Sequence, residues 1–328
     1  MNMDNEYREL LERISAEHGL SVEQIERSVS SKRGTLFGLL SKGMVARLIQ
    51  VSWGLHSSLA SFLAAGARHV SGSKLSDALA AASNEAERGN LSTFGYWAHK
   101  GDTPGVIASR YLQAIDAIAD SRLDSSISIK VDQVEYDREL LHPVFRHAAS
   151  RHVRVHFDAQ PIPTADRTHE LVREAIALGT DVSATLPSRW ERSVKDAEMF
   201  LDLGIPMRIV KGQGGDPGNP KIDPRRSFLA LVNQVSGRAL HVGVATHDRR
   251  VAEPALDLLL ATNTPCSLEQ LRSLPRLDFL AKKRGIPVRA YVAYGRFGLP
   301  YSIGELKRRP AIIGWILRDA IERHRSAS

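Results

Sequence analysis

Polar residues recur where short apolar runs of this chain come to an end. SISIKVD carries Lys130 and Asp132, VRVHFDA carries Asp158, RIVKG carries Arg208 and Lys211, VATHD carries Thr246 and His247, and VRAYVAYG carries Tyr291 and Tyr294. A lysine with an aspartate can form an ion pair that fixes charge beside a bound amine, or can serve only as a salt bridge inside a core. An arginine and a lysine leaving one run suit a ligand that bears phosphate or other negative charge. The stretch RIVKGQGGDPGNP, Arg208 to Pro220, continues into glycines, which let a backbone approach a ligand closely. An ordinary turn beside a solvated charge pair reads the same way, and polar residues often cap strands. The recurrence at the same end of successive runs is what points to a site.

Such a set needs elements that bring it together. Residues 1 to about 70 read as helices only: Leu10, Leu11 and Ile14 have helical spacing, Ser21 with Glu23 and Gln24 opens a second helix, and Val45, Leu48, Ile49, Leu59, Phe62 and Leu63 mark a third. After Gly72 the pattern alternates. β-rich runs fall at Leu91–Trp97, Ser126–Asp132, Val153–Ala159, Asp181–Pro187, Met207–Gly212, His241–His247, more weakly Thr264–Gln270, and Val288–Gly295. Between them lie amphipathic stretches such as THELVREAIALG and ERSVKDAEMFLDLG, several ending in glycine, the expected helix stop. About eight strand–helix units in roughly 260 residues is the usual size of a closed (β/α)8 barrel. The prediction is therefore an α/β chain: a TIM-type barrel over residues 71–328 with an N-terminal helical arm over 1–70. A doubly wound open sheet is the rival, weakened because no G-x-G-x-x-G follows a first strand. In a barrel, the strand C-termini and the loops after them carry function, which is where the polar set falls.

Composition narrows the classes. With 328 residues, 43% hydrophobic and 25% charged, the chain reads as soluble and globular. A net charge of +7 suits a polyanionic cofactor. It also permits nucleic-acid or lipid contact, but no zinc-type Cys/His spacing or recognition helix supports a nucleic-acid partner, and no metal site is expected. Cys266 is the single cysteine, so a reducing, cytoplasmic setting is the simplest reading. The most apolar long stretch, Val45 to Ala67, contains Arg47, Gln50 and His56, which argues against a membrane span and leaves peripheral contact open.

RIVKG, VATHD, VRAYVAYG and PYSIGELKRRP (Pro300–Pro310) follow one another in an order and spacing that resemble the flavin-dependent proline dehydrogenase barrel. SISIKVD and VRVHFDAQ match its earlier strands, and the likeness runs from about Gly72 to Leu317. The resemblance implies FAD held non-covalently at the C-terminal face, a hydride taken from the carbon next to a ring nitrogen to leave an imine, and electrons passed to a membrane quinone. It implies that Arg208 stands by the reactive part of the flavin ring and that Val210, Lys211, Gly212, Thr246 and His247 hold the cofactor. Lys130, Asp158 and Tyr291 fall where the family keeps a lysine, an aspartate and a tyrosine at the active site.

The departures shift the substrate. The family's Y-x-x-R-R places two arginines on the substrate carboxylate; here Tyr301 is followed by Ser302, Ile303, Gly304 and Glu305. Glycine and glutamate cannot reproduce a bidentate arginine clamp. Arg308 and Arg309 are near in sequence but lie on other helix azimuths. The first-strand aspartate becomes Gly95, the fourth-strand glutamine falls near Ser183, the alanine-tyrosine after VKG becomes Gln213-Gly214, and an aromatic-Glu-aromatic-Gln element becomes Cys266-Ser267-Leu268-Glu269. The expected function is an FAD-dependent oxidoreductase acting on a small nitrogen-containing substrate other than free proline. Glu305 would help position the nitrogen, and a quinone or oxygen would be the electron acceptor. The alternatives are a true proline dehydrogenase giving pyrroline-5-carboxylate, and a ligand-binding barrel without catalysis.

Overall fold

The computed structural model describes residues 71–99, 101–212, 215–272 and 276–295. The expected arm over residues 1–70 lies outside them, as do Tyr301, Gly304, Glu305, Arg308 and Arg309.

Eight parallel strands close into a barrel in sequence order. They are β1 (Leu91–Trp97), β2 (Ser125–Ile129), β3 (Val155–Phe157), β4 (Val182–Pro187), β5 (Met207–Val210), β6 (Val242–Ala245), β7 (Cys266–Leu271) and β8 (Val288–Gly295). Closure is made by β8 on β1, in a register that sets Thr93 opposite Tyr291 and Gly95 opposite Ala293. A helix α1 (Leu75–Ala86) precedes β1, packed on β1 and β8. Seven helices follow the strands that precede β8: α2 (Pro104–Ser121), α3 (Arg138–Ser150), α4 (Ala165–Ala177), α5 (Ser193–Asp202), α6 (Pro224–Val235), α7 (Arg249–Ala261) and the short α8 (Asp278–Lys283). Among the described residues no helix is long and apolar enough to cross a membrane.

The strand–helix alternation follows the expected pattern, with local differences. α1 has no counterpart in the sequence reading, because LSDALAAASNEA shows little but alanine on its buried face, Ala78, Ala81 and Ala82. β2 ends at Ile129. Lys130 instead caps a 3-10 turn, Val131–Val134, so Asp132 lies in that turn and not on the strand. β7 begins at Cys266, two residues after the weak run starts.

The main apolar core lies between the strands' outer faces and the helices, where Tyr111, Phe145, Phe157, Phe200 and Phe228 are fully buried. Phe145 and Phe157 meet with ring centroids 5.6 Å apart. The inner face of the barrel differs from the branched apolar layers such barrels usually contain. Thr93 bonds Ser126 at 3.0 Å. His156 reaches the hydroxyls of Ser183 at 2.8 Å and Thr185 at 2.7 Å. Arg208 spans the interior to Thr93 at 3.4 Å. Buried polar groups are tolerated when they find partners, and here they find one another across strands.

Candidate active site

Arg208 leaves β5 and points across the barrel with its side chain only 8% exposed. Its Nε donates to Glu269 of β7 at 2.5 Å, Nη1 to Asp158 at 3.4 Å and Nη2 to Thr93 at 3.4 Å. Asp158, one residue past β3, also takes Lys130 Nζ at 3.2 Å and the Tyr291 hydroxyl at 3.4 Å. Lys130 Nζ in turn donates to the Tyr291 oxygen at 3.2 Å. Its backbone N–H donates to the buried Tyr111 hydroxyl at 3.0 Å, which fixes the strand end. Lys130 and Asp158, each one residue past its strand, and Arg208 and Tyr291, within β5 and β8, are thus one cluster toward the C-terminal mouth. Lys130 and Asp158 are each 21% exposed, so the pair faces the opening and is not sealed in the core.

The charge states follow from the neighbours. Burial pushes the Asp158 carboxyl up, but Lys130 foremost, with His156 and Arg208 after it, outweighs burial and holds its pKa down at about 2. Burial works against the Lys130 ammonium, yet the oxygens of Tyr291 and Asp158 hold its pKa well above the ordinary lysine value. For Glu269, burial is outweighed by Arg208 and Arg289, which keep the carboxyl below its usual range. His156 is pushed down to about 3, by burial first and Arg208 second, and is neutral.

Two glycines make this packing feasible. A Cβ at Gly95 would overlap the Tyr291 hydroxyl and stand 2.7 Å from Tyr291 Cε1. A Cβ at Gly243 would overlap Glu269 Oε1 and stand 2.7 Å from its Cδ. The tyrosine and the glutamate occupy the space that side chains on β1 and β6 would fill.

A second group gathers after β5 and β6, whose ends are in register at Val210 and Ala245. Val210 is half-buried and ends β5. Lys211 Nζ and Arg225 Nε each reach Asp248 Oδ2 at 2.7 Å, and the other oxygen of Asp248 caps α7 through Arg250 N–H at 3.1 Å. Thr246 is buried, and its hydroxyl accepts from Asp248 N–H at 3.1 Å. His247 Nε2 accepts from Leu271 N–H at 3.0 Å, and its Nδ1 lies 3.5 Å from Gln270 Nε2. Gly212 adopts φ +83°, and a Cβ there would stand 2.9 Å from Pro187 Cβ. The sequence alone gives Glu269, Thr93, His156, Arg225 and Asp248 no role. Asp248 carried a signal, an aspartate directly before the helical run RRVAEPALDLLLA. Glu269 carried only its period-two spacing from Ser267.

No protein-family model matches the chain. Proline dehydrogenase 1 of Bacillus subtilis subsp. natto is 24% identical over 277 residues, which cover 78% of this chain and 90% of that protein. Proline dehydrogenase 2 of Bacillus subtilis strain 168 is 22% identical over 223 residues, covering 63% and 73%. The chain is thus similar to the proline dehydrogenases over most of its length. Among solved structures, proline utilization A from Corynebacterium freiburgense superposes with a TM-score of 0.63 at 15% identity, over 88% of this chain and 36% of that one. The Bdellovibrio bacteriovorus protein, in a form inactivated by N-propargylglycine, gives 0.62 at 14%, over 70% and 31%. The chain spans about a third of the length of those two proteins, and at such identities the likeness concerns the barrel alone.

Arg272, just past β7, turns its side chain toward α1. It stands 3.6 Å from Glu85 of α1, beside Arg276 at 2.7 Å. Lys130 is committed to Asp158 and Tyr291.

Proposed function

We propose that the chain is an FAD-dependent oxidoreductase that removes a hydride from the carbon next to nitrogen in a small amine and leaves an imine. The observation that carries this reading is the Lys130–Asp158–Tyr291 cluster beside buried Arg208 at the C-terminal mouth. The residues after β5 and β6 suit FAD. Lys211 and Arg225 bring two positive charges to the one carboxylate of Asp248, a surplus that suits a diphosphate. Gly212, in its left-handed conformation, lets the backbone come close. Val210, Thr246 and His247 line the same edge. When bound, FAD supplies the acceptor for the hydride.

The chain's own groups divide the remaining work. Asp158, with its pKa near 2, stays ionised and is a poor base at neutral pH. Its role is to offset the positive charge that develops on the substrate nitrogen as the hydride leaves. Lys130 stays protonated and holds Asp158 in place. The Tyr291 ring forms a wall of the pocket, and the proton lost from nitrogen passes to water at the mouth. Arg208 keeps a fixed positive charge at the reacting end.

The substrate is an amine without a carboxylate that must be clamped, since Gly304 and Glu305 stand where the family pattern has two arginines. Glu305 then helps to position the nitrogen. Proline itself is the second reading, favoured by the names of the relatives. Purified protein loaded with FAD and titrated anaerobically separates the two. Pyrrolidine-type amines are expected to bleach the oxidised flavin, while L-proline below about 1 mM, the upper end of ordinary KM values, is expected not to. Bleaching by dilute proline would reverse the substrate assignment, and failure to take up FAD would remove the oxidoreductase reading itself.

A further inference from the structure

Glu269 has no part in the chemistry described above, yet it makes the closest contact to Arg208. The carboxylate takes Arg208 Nε at 2.5 Å, whereas Asp158 and Thr93 each stand 3.4 Å from the other two guanidinium nitrogens. Both members of the pair are shielded, with side-chain exposures of 12% for Glu269 and 8% for Arg208. Room for the glutamate exists only because β6 carries glycine at 243, where a Cβ would collide with the carboxylate. Ser267, two residues back on the same strand, and His241, which bonds Ser267 at 3.0 Å, complete the floor beneath it. A guanidinium held at one nitrogen by a buried carboxylate loses most of its orientational freedom. It also presents less net positive charge to whatever lies above it.

We propose that Glu269 is a positioning residue and counter-charge for Arg208: it anchors the guanidinium at the mouth and tempers the positive field acting on the bound flavin. This rests on the FAD reading given above. Asp158, held only loosely by Arg208, remains available to the substrate. Arg208 stays oriented without turning the oxidised ring into an excessively strong electrophile. The family pattern carries a neutral glutamine where this chain has Glu269, so the counter-charge is a property of this sequence. It makes the flavin here a weaker oxidant than Arg208 alone would produce.

The test compares Glu269→Gln, Glu269→Ala and Gly243→Ala with the parent chain, all loaded with FAD. The readouts are FAD content, the dissociation constant of the sulfite adduct and the rate of anaerobic reduction. Sulfite adds to the oxidised ring and binds more tightly when the surrounding field is more positive. Glu269→Gln keeps an acceptor for Arg208 Nε and removes the charge. Sulfite binding is expected to tighten about tenfold, the order of effect of one unit charge inside a protein, with FAD content unchanged. Glu269→Ala also removes the anchor and is expected to slow reduction while sulfite still binds more tightly than in the parent. Gly243→Ala displaces the carboxylate without deleting it and is expected to slow reduction. Unaltered sulfite affinity in FAD-loaded Glu269→Gln overturns this inference and leaves the functional reading standing. A parent chain that takes up no FAD overturns both.

Discussion

Replacing Gly95 by alanine adds a single methyl group to the inner face of β1, at a position whose backbone tolerates any residue. That methyl would overlap the Tyr291 hydroxyl and stand 2.7 Å from Tyr291 Cε1, where ordinary contact begins near 3.4 Å. The ring edge must therefore retreat by about 0.7 Å, and the hydroxyl by more. Tyr291 Oη now lies 3.2 Å from Lys130 Nζ and 3.4 Å from Asp158. A shift of that size away from β1 carries both contacts beyond hydrogen-bonding range. A hydrogen bond to a charged group contributes about 1.5–3 kcal/mol. Because Lys130 and Asp158 are a fifth exposed, the lower end applies, which corresponds to about a tenfold loss in kcat/KM. Overpacking inside the barrel adds a stability loss of about 1–3 kcal/mol. Anaerobic stopped-flow reduction with a turnover amine measures the first effect and urea unfolding the second. Tyr291→Phe removes the same hydroxyl contacts, so the two substitutions together should cost less than their sum. Gly95→Ala with parental reduction kinetics would show that Tyr291 is not held in that slot and that its hydroxyl does not organise the Lys130–Asp158 pair.

Two further outcomes follow from buried charge. His156, held near pKa 3 by burial and Arg208, is neutral when folded but takes up a proton near 6.5 when unfolded. Stability is therefore highest above about pH 6.5 and falls as pH drops toward 3, by about 1.4 kcal/mol per pH unit for this one residue. Burial shifts His169 and His241 in the same direction. Urea midpoints at pH 7, 6 and 5 should decline, and His156→Gln should flatten part of that slope; a parent chain equally stable at pH 7 and pH 5 would contradict the assignment. Glu85, 1% exposed, takes Arg276 at 2.7 Å and Asn90 at 2.8 Å and lies 3.6 Å from Arg272. Glu85→Gln should cost about 2–3 kcal/mol in urea unfolding, somewhat less than for an isolated buried pair because Arg276 keeps Asp278 at 2.8 Å.

The barrel was legible in the sequence because its signals are local. Apolar runs such as MRIV and amphipathic stretches such as THELVREAIALG carry their periods within a dozen residues, and their alternation after Gly72 implies the closed sheet. The basic exit of β5 and the ATHD run were equally visible, since adjacent parallel strands bring neighbouring loop residues together at one end. α1 was not legible, because its buried face is mostly alanine and its contact surface is supplied by β1 and β8. Nor was the partnership of Arg208 with Glu269, 61 residues apart. Strand alternation tells which side chains face inward, but barrel closure and register decide which of them meet across the interior. The same holds for Tyr291, which fills the space left by Gly95 only because β8 closes on β1 in a register that sets Thr93 opposite Tyr291. Residue types and their spacing along the chain determined that this end of the barrel is charged and followed by glycine. The geometry of closure alone decided which charges neutralise one another, because electrostatic pairing depends on distance through space and the sequence records only distance along the chain.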